Sequence, residues 1–307
     1  MQRKIRIGTR DSRLALWQAE TVRDLLEHHG YATELVPVKS EGDLDLVTPL
    51  YAMGVQGVFT KTLDAFLLSN RIDIAVHSMK DVPVQLAQGI VQAAVLPRAS
   101  YRDILVPRIP GQQDPSTFGT IATGSVRRRA QWLNRYPGTA VDNLRGNVQT
   151  RLQKLADSQW DAAVFAEAGL ARIDLRPDHA IAMDWMLPAP AQGAVMVVCR
   201  QGEDGLLEAC AHFNDPVTAL CVREEREFLR TLMGGCSAPV SALAELKESI
   251  LVFKGNVLSV DGTSKMEVER SVALPEAAGT GHLAASELLD QGAGALIASI
   301  RDLDGKL

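Results

Sequence analysis

The chain has 307 residues, 46 % of them hydrophobic, so it can build several cores without disulfides or a structural metal. Lys and Arg number 32 against 37 Asp and Glu, and this net charge of −5 argues against a chain built as a polycation for nucleic acid. No apolar run approaches the roughly 20 residues of a membrane span, and the N-terminus lacks the apolar segment of a secretory signal. We therefore expect a cytoplasmic protein of two or three domains, with no membrane association and reduced cysteines.

The N-terminal part of the chain alternates short strands with amphipathic helices. Ser12 is a suitable N-cap for a helix that ends before Gly30, and a second helix is predicted over 58–68. Apolar runs predict strands over 4–8, 32–38, 72–76 and 90–96. Because strands that alternate with helices usually lie parallel, this part predicts a mainly parallel α/β sheet.

Two Pro-rich segments predict crossings between two lobes of this kind. The first is the Pro- and Arg-rich stretch 97–115, and the second is Leu187-Pro-Ala-Pro-Ala. Between them the alternation continues, with strands predicted over 120–123, 140–144 and 162–166 and helices over 126–134 and 148–156. An apolar run from Gly193 to Cys199 predicts a return to the first sheet. Two crossings between α/β lobes predict a hinged cleft in which a ligand binds at the carboxyl ends of the strands.

The last third of the chain has a different pattern. A long helix is predicted over 216–232, and strands over 251–260 and 265–274 form a hairpin around Asp261-Gly262. A closing helix over 282–300 is interrupted by Gly292 and Gly294. We predict a first domain of residues 1–98 and 190–213, a second of 99–189, and a small α+β domain of 214–307.

Positive charge is concentrated in the predicted second lobe. Residues 120–155 carry seven cationic side chains and one acid, Asp142, and Arg binds carboxylate and phosphate in a bidentate manner. Three strand-to-helix turns combine Arg with small polar groups at a helix start, where an anion is favoured. These turns are Thr9-Arg-Asp-Ser, Ala122-Thr-Gly-Ser-Val-Arg-Arg and Leu144-Arg-Gly-Asn-Val. They indicate a ligand with several negative charges, although Arg127–Arg129 alone could form a solvated basic helix face. Nucleic acid is a poorer fit, because few aromatic residues are interleaved.

Asp81 is the first candidate for chemistry. It follows a buried-looking strand that ends in His77, Ser78 and Lys80, so it is expected at the edge of the cleft. A carboxylate beside cations can transfer protons or stabilise a cationic intermediate. The alternative is that Asp81 caps the turn before Pro83. We interpret His77 as a core or turn histidine rather than a base.

Cys236 is the second candidate. It lies on a glycine-rich turn, Met233-Gly-Gly-Cys, whereas the other three cysteines fall inside apolar segments typical of cores. Cys236 is therefore the most accessible thiol, and the alternative is a buried loop cysteine. No Cys-x-x-Cys pair or nearby Cys/His cluster indicates a zinc site.

Taken together, the motifs resemble the porphobilinogen deaminase family, also called hydroxymethylbilane synthases. The similarity extends over almost the whole chain and keeps the same order. The resembling stretches are Thr9-Arg-Asp-Ser, Leu16-Trp-Gln-Ala, Val76-His-Ser-Met-Lys-Asp-Val-Pro, Leu144-Arg-Gly-Asn-Val, Thr150-Arg-Leu, Ala168-Gly-Leu, Gln192-Gly-Ala and Gly234-Gly-Cys.

This resemblance implies a three-domain transferase, expected to be monomeric, whose first two domains are similar to the lobes of periplasmic binding proteins. It implies a dipyrromethane cofactor joined by a thioether to Cys236. Four porphobilinogen molecules are then added head to tail with release of ammonia, giving hydroxymethylbilane for tetrapyrrole and haem biosynthesis. Loss of the aminomethyl nitrogen leaves an azafulvene-type cation, and the resemblance assigns Asp81 to that step.

The resemblance also implies a set of side chains that contact cofactor or substrate carboxylates. They are Arg10, Ser12, Ser78, Lys80, Thr123, Ser125, Arg127, Arg128, Arg145, Asn147, Arg151 and Arg172. The chain departs from the family pattern at Gln56, Thr62, Gly124 and Ala191, where the family commonly has Lys, an acid, Ser and Gly. Loop closure, one carboxylate contact and the rate could differ as a result. A weakened paralogue that binds a carboxylated ligand is the alternative function, and a cysteine hydrolase is poorly supported because no His partner is indicated.

Overall fold

The computed structural model describes residues 4–39, 60–233 and 238–304. These residues form two five-stranded α/β sheets and one three-stranded antiparallel sheet. The strands are β1 (Ile5–Arg10), β2 (Thr33–Val38), β3 (Ile74–Ser78), β4 (Ile90–Val95), β5 (Asp103–Pro107), β6 (Thr120–Ala122), β7 (Ala140–Asp142), β8 (Ala162–Ala166), β9 (Ile181–Ala182), β10 (Val195–Arg200), β11 (Val240–Lys247), β12 (Ile250–Leu258) and β13 (Lys265–Ala273). The predicted fold class, two α/β lobes plus a small C-terminal α+β unit, is confirmed.

The helices cover the faces of these sheets and supply the long connections. They are α1 (Arg13–His28), α2 (Lys61–Leu68), α3 (Val126–Arg135), α4 (Val148–Asp157), α5 (Glu167–Ala171), α6 (Asp204–Ala211), α7 (Pro216–Met233), α8 (Thr280–Leu288) and α9 (Gly294–Asp304). Between α8 and α9, Gly292 has a φ of 104°, a left-handed conformation that suits glycine. The interruption predicted at this glycine is therefore confirmed.

The first lobe is built on the sheet order β2-β1-β3-β10-β4. Strands β1, β2 and β3 are parallel, whereas β10 is antiparallel to both β3 and β4. The predicted return of the chain to the first sheet is thus confirmed. It places the second crossing directly beside the end of β3, where the Asp81 turn begins.

The second lobe has the sheet order β7-β6-β8-β5-β9. Strand β5 was not predicted, because the 97–115 stretch was interpreted as a crossing alone. All five of its residues are buried, and it pairs antiparallel with β8. Because Arg and Pro residues flank this short apolar run, the sequence pattern of the segment does not indicate a strand.

The C-terminal sheet has the order β11-β12-β13, and it packs against α7 and α8. The hairpin predicted around Asp261-Gly262 is confirmed as β12 and β13, whereas β11 was not predicted. Phe228 of α7 and Phe253 of β12 are fully buried, with ring centroids 5.3 Å apart. Helix α7 therefore belongs to this core, although its other faces contact the first lobe and both crossings.

One buried carboxylate joins the two crossings to this C-terminal core. Glu225 of α7 accepts hydrogen bonds from Arg98 Nη1 at 2.5 Å and Arg98 Nη2 at 3.1 Å. It also accepts from the backbone N–H groups of Ala191 at 2.6 Å and Ala244 at 2.8 Å. Ala191 has a φ of 61°, in the left-handed region that favours glycine. The family's usual glycine at this position is explained by that conformation.

Candidate functional site

A cleft of about 790 Å³ lies between the two α/β lobes. Its walls are the turns that follow β1 and β3 in the first lobe and β6, β7 and β8 in the second. The strands of each group are parallel, so their carboxyl ends meet at the cleft as predicted. The volume falls in the range of small-molecule sites.

The cleft brings together most of the side chains that the sequence singled out. Thr123 and Arg172 do not line it, and Cys236 lies outside the described residues. Those that line it are Arg10, Ser12, Ser78, Lys80, Asp81, Ser125, Arg127, Arg128, Arg145, Asn147 and Arg151.

Three helices begin at the cleft, each with a side-chain cap. Ser12 caps α1 by accepting from Ala15 N at 3.4 Å, and Ser125 caps α3 by accepting from Arg128 N at 3.4 Å. Asn147 caps α4 by accepting from Thr150 N at 2.9 Å. The positive ends of three helix dipoles therefore face the space that an anion would occupy.

Arg127 and Arg128 are buried against Asp103, with 6 % and 5 % of their surfaces exposed. The solvated-face alternative is therefore wrong for these two residues. Asp103 Oδ2 accepts from Arg127 Nη2 at 2.6 Å, and Oδ1 accepts from Arg128 Nη2 at 2.7 Å. Burial alone would raise the pKa of Asp103, but the two guanidinium groups outweigh it and hold that pKa well below its usual range. Part of the positive charge counted in the sequence is thus neutralised inside the protein.

Arg129 and Arg135 do not belong to the cleft. Arg129 is exposed and donates to the carbonyl oxygen of Val141 at 3.1 Å. Arg135 lies over the ring of Trp185, with its guanidinium carbon 4.9 Å from the ring centroid. For Arg129 the interpretation as part of a solvated face agrees with the structure, and Arg135 is also exposed.

Gln192, from the second crossing, connects the lobes within the cleft. Its Nε2 donates to Asp103 Oδ1 at 2.8 Å and to the carbonyl oxygen of Tyr101 at 2.7 Å. Its Oε1 accepts from Lys80 Nζ at 3.2 Å. Neither Asp103 nor Gln192 was predicted as a site residue, although Gln192 lies in a stretch that carries the family resemblance.

Lys80 has an altered proton affinity in this environment. Its side chain keeps exposed surface, but atoms of both walls surround it. Burial and the neighbouring Arg128 lower the pKa of Lys80 to about 8, even though Asp81 and Asp103 act in the opposite direction. Lys80 is therefore a cation that loses its charge in the weakly alkaline range.

Asp81 ends the short 3-10 turn Met79–Asp81 and is exposed in the cleft. Among the described residues, no hydrogen bond to its carboxylate is found, so the turn-capping alternative gains no support. Burial and Arg128 lower the pKa of Arg151 to about 10, whereas the nearby Asp81 raises it. The acid thus lies within the electrostatic range of Lys80 and Arg151 without a fixed partner among the described side chains.

His77 agrees with its interpretation as a core histidine. It has 6 % of its surface exposed and lies at the wall of the cleft. Burial, with a smaller effect of Arg10, lowers its pKa to about 4. His77 is therefore neutral near pH 7 and does not exchange protons in that range.

Thr123 and Arg172 have structural contacts instead. Thr123 is buried, and its Oγ1 accepts from Ser125 N at 3.2 Å. Arg172 donates to the carbonyl oxygen of Gly193 at 2.7 Å, and its guanidinium carbon lies 5.4 Å from the ring centroid of Trp17. Thr123 thus supports the turn that carries Ser125, whereas Arg172 joins the end of α5 to the backbone of Gly193.

The described chain after Cys236 reaches the cleft. Helix α7 ends three positions earlier at Met233, and Ala238, two positions later, lines the cleft. The predicted accessibility of Cys236 and the departure at Gln56 fall outside the described residues. Thr62, another departure, lies on α2.

The remaining cysteines are core residues, as the sequence indicated. Burial raises the pKa of Cys199 to about 11, that of Cys210 to about 12 and that of Cys221 to about 11. In the described part of the chain, His, Cys, Asp and Glu form no cluster suited to a metal ion. No described helix combines the length and apolar character needed to cross a membrane.

These features define a two-lobed α/β protein whose cationic cleft holds a carboxylate at its edge. Two family models match the chain: "Porphobilinogen deaminase, dipyromethane cofactor binding domain" over residues 5–208, and "Porphobilinogen deaminase, C-terminal domain" over residues 219–290. A porphobilinogen deaminase of Syntrophotalea carbinolica is 42 % identical over 306 residues, covering 96 % of each chain. The chain belongs to the porphobilinogen deaminase family.

Solved structures with a related shape are more distant. The VFT2 domain of BvgS from Bordetella pertussis, a double mutant, is 14 % identical over 68 % of this chain and 84 % of its own, with a TM-score of 0.42. An ancestral cationic amino acid solute binding protein is 13 % identical over 68 % of this chain and 87 % of its own, also with a TM-score of 0.42. The fold class given above rests on the strand order of the sheets themselves.

Proposed function

We propose that Asp81, Cys236 and the cationic side chains of the cleft carry the reaction of the porphobilinogen deaminase family in this chain. The chain is a transferase that joins four molecules of porphobilinogen head to tail and releases ammonia at each addition. Water then releases the linear tetrapyrrole hydroxymethylbilane and supplies its terminal hydroxyl group. The observation that best supports the residue assignment is that Asp81, Lys80 and Arg151 line the same cleft.

Substrate binding is assigned to the cations and helix starts of the cleft. Each porphobilinogen unit carries an acetate and a propionate, so a growing chain accumulates carboxylates. The proposed contacts are Arg10, Ser12, Ser78, Lys80, Ser125, Arg145, Asn147 and Arg151. Arg127 and Arg128 take part through the N–H groups that remain after those bound to Asp103 and to the carbonyl oxygens of Leu187 and Val164, since a guanidinium has five. The proposal for Thr123 and Arg172 lacks this support, because neither lines the cleft.

The donor set fits a dipyrromethane cofactor, which the family model names. Such a group carries several carboxylates, and the cleft offers cations from both lobes around about 790 Å³. When bound through the sulfur of Cys236, it supplies the pyrrole carbon to which the first substrate is joined. Arg10, Arg145 and Arg151 would hold its carboxylates and so orient that carbon.

Asp81 is assigned to the carbon–nitrogen bond cleavage. In this step Asp81 supplies a proton to the aminomethyl nitrogen. The C–N bond then breaks, and the electron pair leaves with nitrogen as ammonia. The carboxylate then stabilises the positive charge on the remaining substrate carbon. Because Asp81 has no fixed hydrogen-bond partner among the described residues, its oxygens are available for both tasks.

Several broader properties belong to the same proposal. We expect a cytoplasmic monomer that binds neither nucleic acid nor membranes. We also propose the domain boundaries 1–98 with 190–213, 99–189 and 214–307, which agree with the strands that each sheet contains. The alternative of a non-catalytic binding protein is not favoured by the family match. Steady-state release of ammonia from porphobilinogen would exclude it directly.

The test combines mass spectrometry with one substitution. The intact mass after incubation with porphobilinogen should exceed the chain mass by two pyrrole units, and peptide mapping should locate them on Cys236. Asp81→Asn should keep the fold and that mass but lose most turnover. Asp24→Asn, an exposed residue of α1, is the matched control and should behave as the parent. An unmodified chain, or near-normal turnover of Asp81→Asn, would refute the corresponding assignment.

A further inference from the structure

Arg226 of α7 binds the backbone of the turn that carries Asp81. Its Nη1 donates to the carbonyl oxygen of Val82 at 2.9 Å and, more weakly, to that of Met79 at 3.4 Å. Its Nη2 donates to the carbonyl oxygen of Pro83 at 2.6 Å. One guanidinium from the C-terminal domain thus holds the chain on both sides of Asp81 in the first lobe.

The turn depends on the Arg226 guanidinium because its own backbone supplies few hydrogen bonds and the described residues supply no other donor to its last two carbonyl oxygens. Val82 N donates to Met79 O at 3.1 Å, which closes the 3-10 turn, but Pro83 has no N–H with which to extend it. Among the described residues, Arg226 is the sole donor to the carbonyl oxygens of Val82 and Pro83. The Asp81 carboxylate receives no hydrogen bond from the described residues either, so the backbone of the turn sets its position.

Arg226 differs from the other arginines of its helix. Arg223 and Arg230 are exposed and pair with Glu224 and Glu227. Arg226 is partly buried and makes no salt bridge within the described part of the chain, and burial lowers its pKa to about 10. A desolvated cation without a carboxylate is costly unless hydrogen bonds compensate it. Here the carbonyl oxygens of the turn provide that compensation, so the hydrogen bonds of the partly buried Arg226 guanidinium stabilise the turn.

We propose that Arg226 is a positioning residue for the reaction, holding Asp81 in place through the carbonyl oxygens of the 79–83 turn. The inference rests on the proposed role of Asp81. The same helix continues to Met233, three positions before Cys236, so α7 connects the turn of the acid to the segment that carries the attachment cysteine. An arginine suits this task because its planar fork reaches several oxygens at once.

The first test separates positioning from substrate binding. Arg226→Met keeps the length of the side chain but removes its donors, and Arg226→Lys keeps the charge with a compact donor group. We expect kcat to fall about 10–100-fold in Arg226→Met, because a displacement of the order of 1 Å costs that much. KM should stay within about twofold, since Arg226 makes no proposed ligand contact, and the cofactor mass should be unchanged. Arg226→Lys should recover part of kcat.

Arg230→Met is the matched control, because Arg230 lies one helical turn further along α7 and is exposed. It should leave kcat and KM unchanged. An unaltered kcat in folded Arg226→Met would overturn the proposal. Should Arg226→Met fail to fold, Arg226→Lys decides the question: a folded variant with the parent kcat overturns the proposal, and one with reduced kcat supports it.

A double-mutant cycle tests whether Arg226 acts through Asp81. If it does, adding Arg226→Met to Asp81→Asn should lower kcat by less than about twofold further. Independent, multiplicative losses would show a general structural role and would overturn the proposal. The single variant Asp81→Asn distinguishes the two assignments. Near-normal turnover of Asp81→Asn would reject the role of Asp81 itself. If Asp81→Asn loses turnover but Arg226→Met keeps the parent kcat, only the positioning role of Arg226 is rejected.

Discussion

Asp103 binds Arg128 at the wall of the cleft, with Oδ1 accepting from Nε at 3.1 Å and from Nη2 at 2.7 Å. A carboxylate in a site for anions lowers the local positive charge, yet it also fixes the plane of the guanidinium. The pair is joined by Gln192, whose other end contacts Lys80 in the first lobe. Asp103 therefore sets the geometry from which the remaining N–H groups of the arginine reach a ligand.

Asp103→Asn should strongly destabilise the second lobe. The substitution leaves Arg127 and Arg128 buried with reduced compensation, and breaking a buried ion pair from one side costs about 3–5 kcal/mol. Urea unfolding followed by tryptophan fluorescence measures this effect. Most of the signal reports the second lobe, because that lobe holds Trp132, Trp160 and Trp185 among the four tryptophans of the chain.

The control for this prediction is Asp184→Asn. Asp184 also pairs with an arginine, Arg102, but both side chains are more than half exposed, so the expected change is about 0–1 kcal/mol. The pH dependence supplies a second check. The pKa of Asp103 is lowered in the folded chain. Its contribution to the free energy of unfolding is therefore complete above the ordinary pKa of about 4, and it is lost progressively as the pH falls below that value. Equal losses of unfolding free energy in Asp103→Asn and Asp184→Asn at neutral pH would contradict the prediction.

The architecture of the lobes could be predicted because its signals are local. Short apolar runs between helices predict the strands around β1, β3, β6 and β8, and Ser12 and Ser125 mark the starts of α1 and α3. Strand β5 could not be predicted in the same way, because Pro and Arg residues flank it. Its strand character comes from pairing with β8, a contact between distant parts of the chain.

The site residues divide in the same way, into those with a local sequence signal and those that depend on contacts between distant parts of the chain. Arg10, Arg145 and Asn147 were predicted from turn motifs that lie next to them in sequence. Asp103 and Arg226 were missed because each acts on a partner at a large sequence separation, chosen by how the lobes and the C-terminal domain pack. A buried acid beside two arginines leaves no periodic signal in a single sequence.

Lys80 should make substrate binding depend on pH in the weakly alkaline range. An ordinary lysine stays protonated to about pH 10.4, but the pKa of Lys80 is lowered to about 8 by burial and by Arg128. As pH rises through that value, Lys80 loses its charge and attracts a substrate carboxylate less strongly. Since the side chain is partly exposed, we expect KM to rise about two- to fivefold. Steady-state kinetics from pH 7, about one unit below that pKa, to pH 9.5, about one and a half units above it, measures the change in KM.

Lys80→Arg provides the diagnostic comparison, because a guanidinium stays charged throughout this range. Its KM should be nearly independent of pH, whatever its absolute value. Lys254→Arg, at a half-exposed position of β12, should retain the pH profile of the parent. A parent KM that does not change up to pH 9.5 would contradict the assignment of Lys80 to carboxylate binding.

Gly124→Ser restores the hydroxyl that the family usually has in the turn before α3, but it should weaken this protein rather than improve it. A Cβ at Gly124 would lie 2.6 Å from the carbonyl oxygen of Leu144, a backbone atom of the neighbouring Arg145 turn. The two turns would have to separate, at a cost of about 1–3 kcal/mol for overpacking, and KM should rise with the displacement of Arg145. Gly138→Ser is the control, because a Cβ there meets nothing within 4 Å. Thermal unfolding and KM measure both effects, and a Gly124→Ser variant with parental stability and a lower KM would show that the missing hydroxyl, not the tight packing of the turns, dominates at this position.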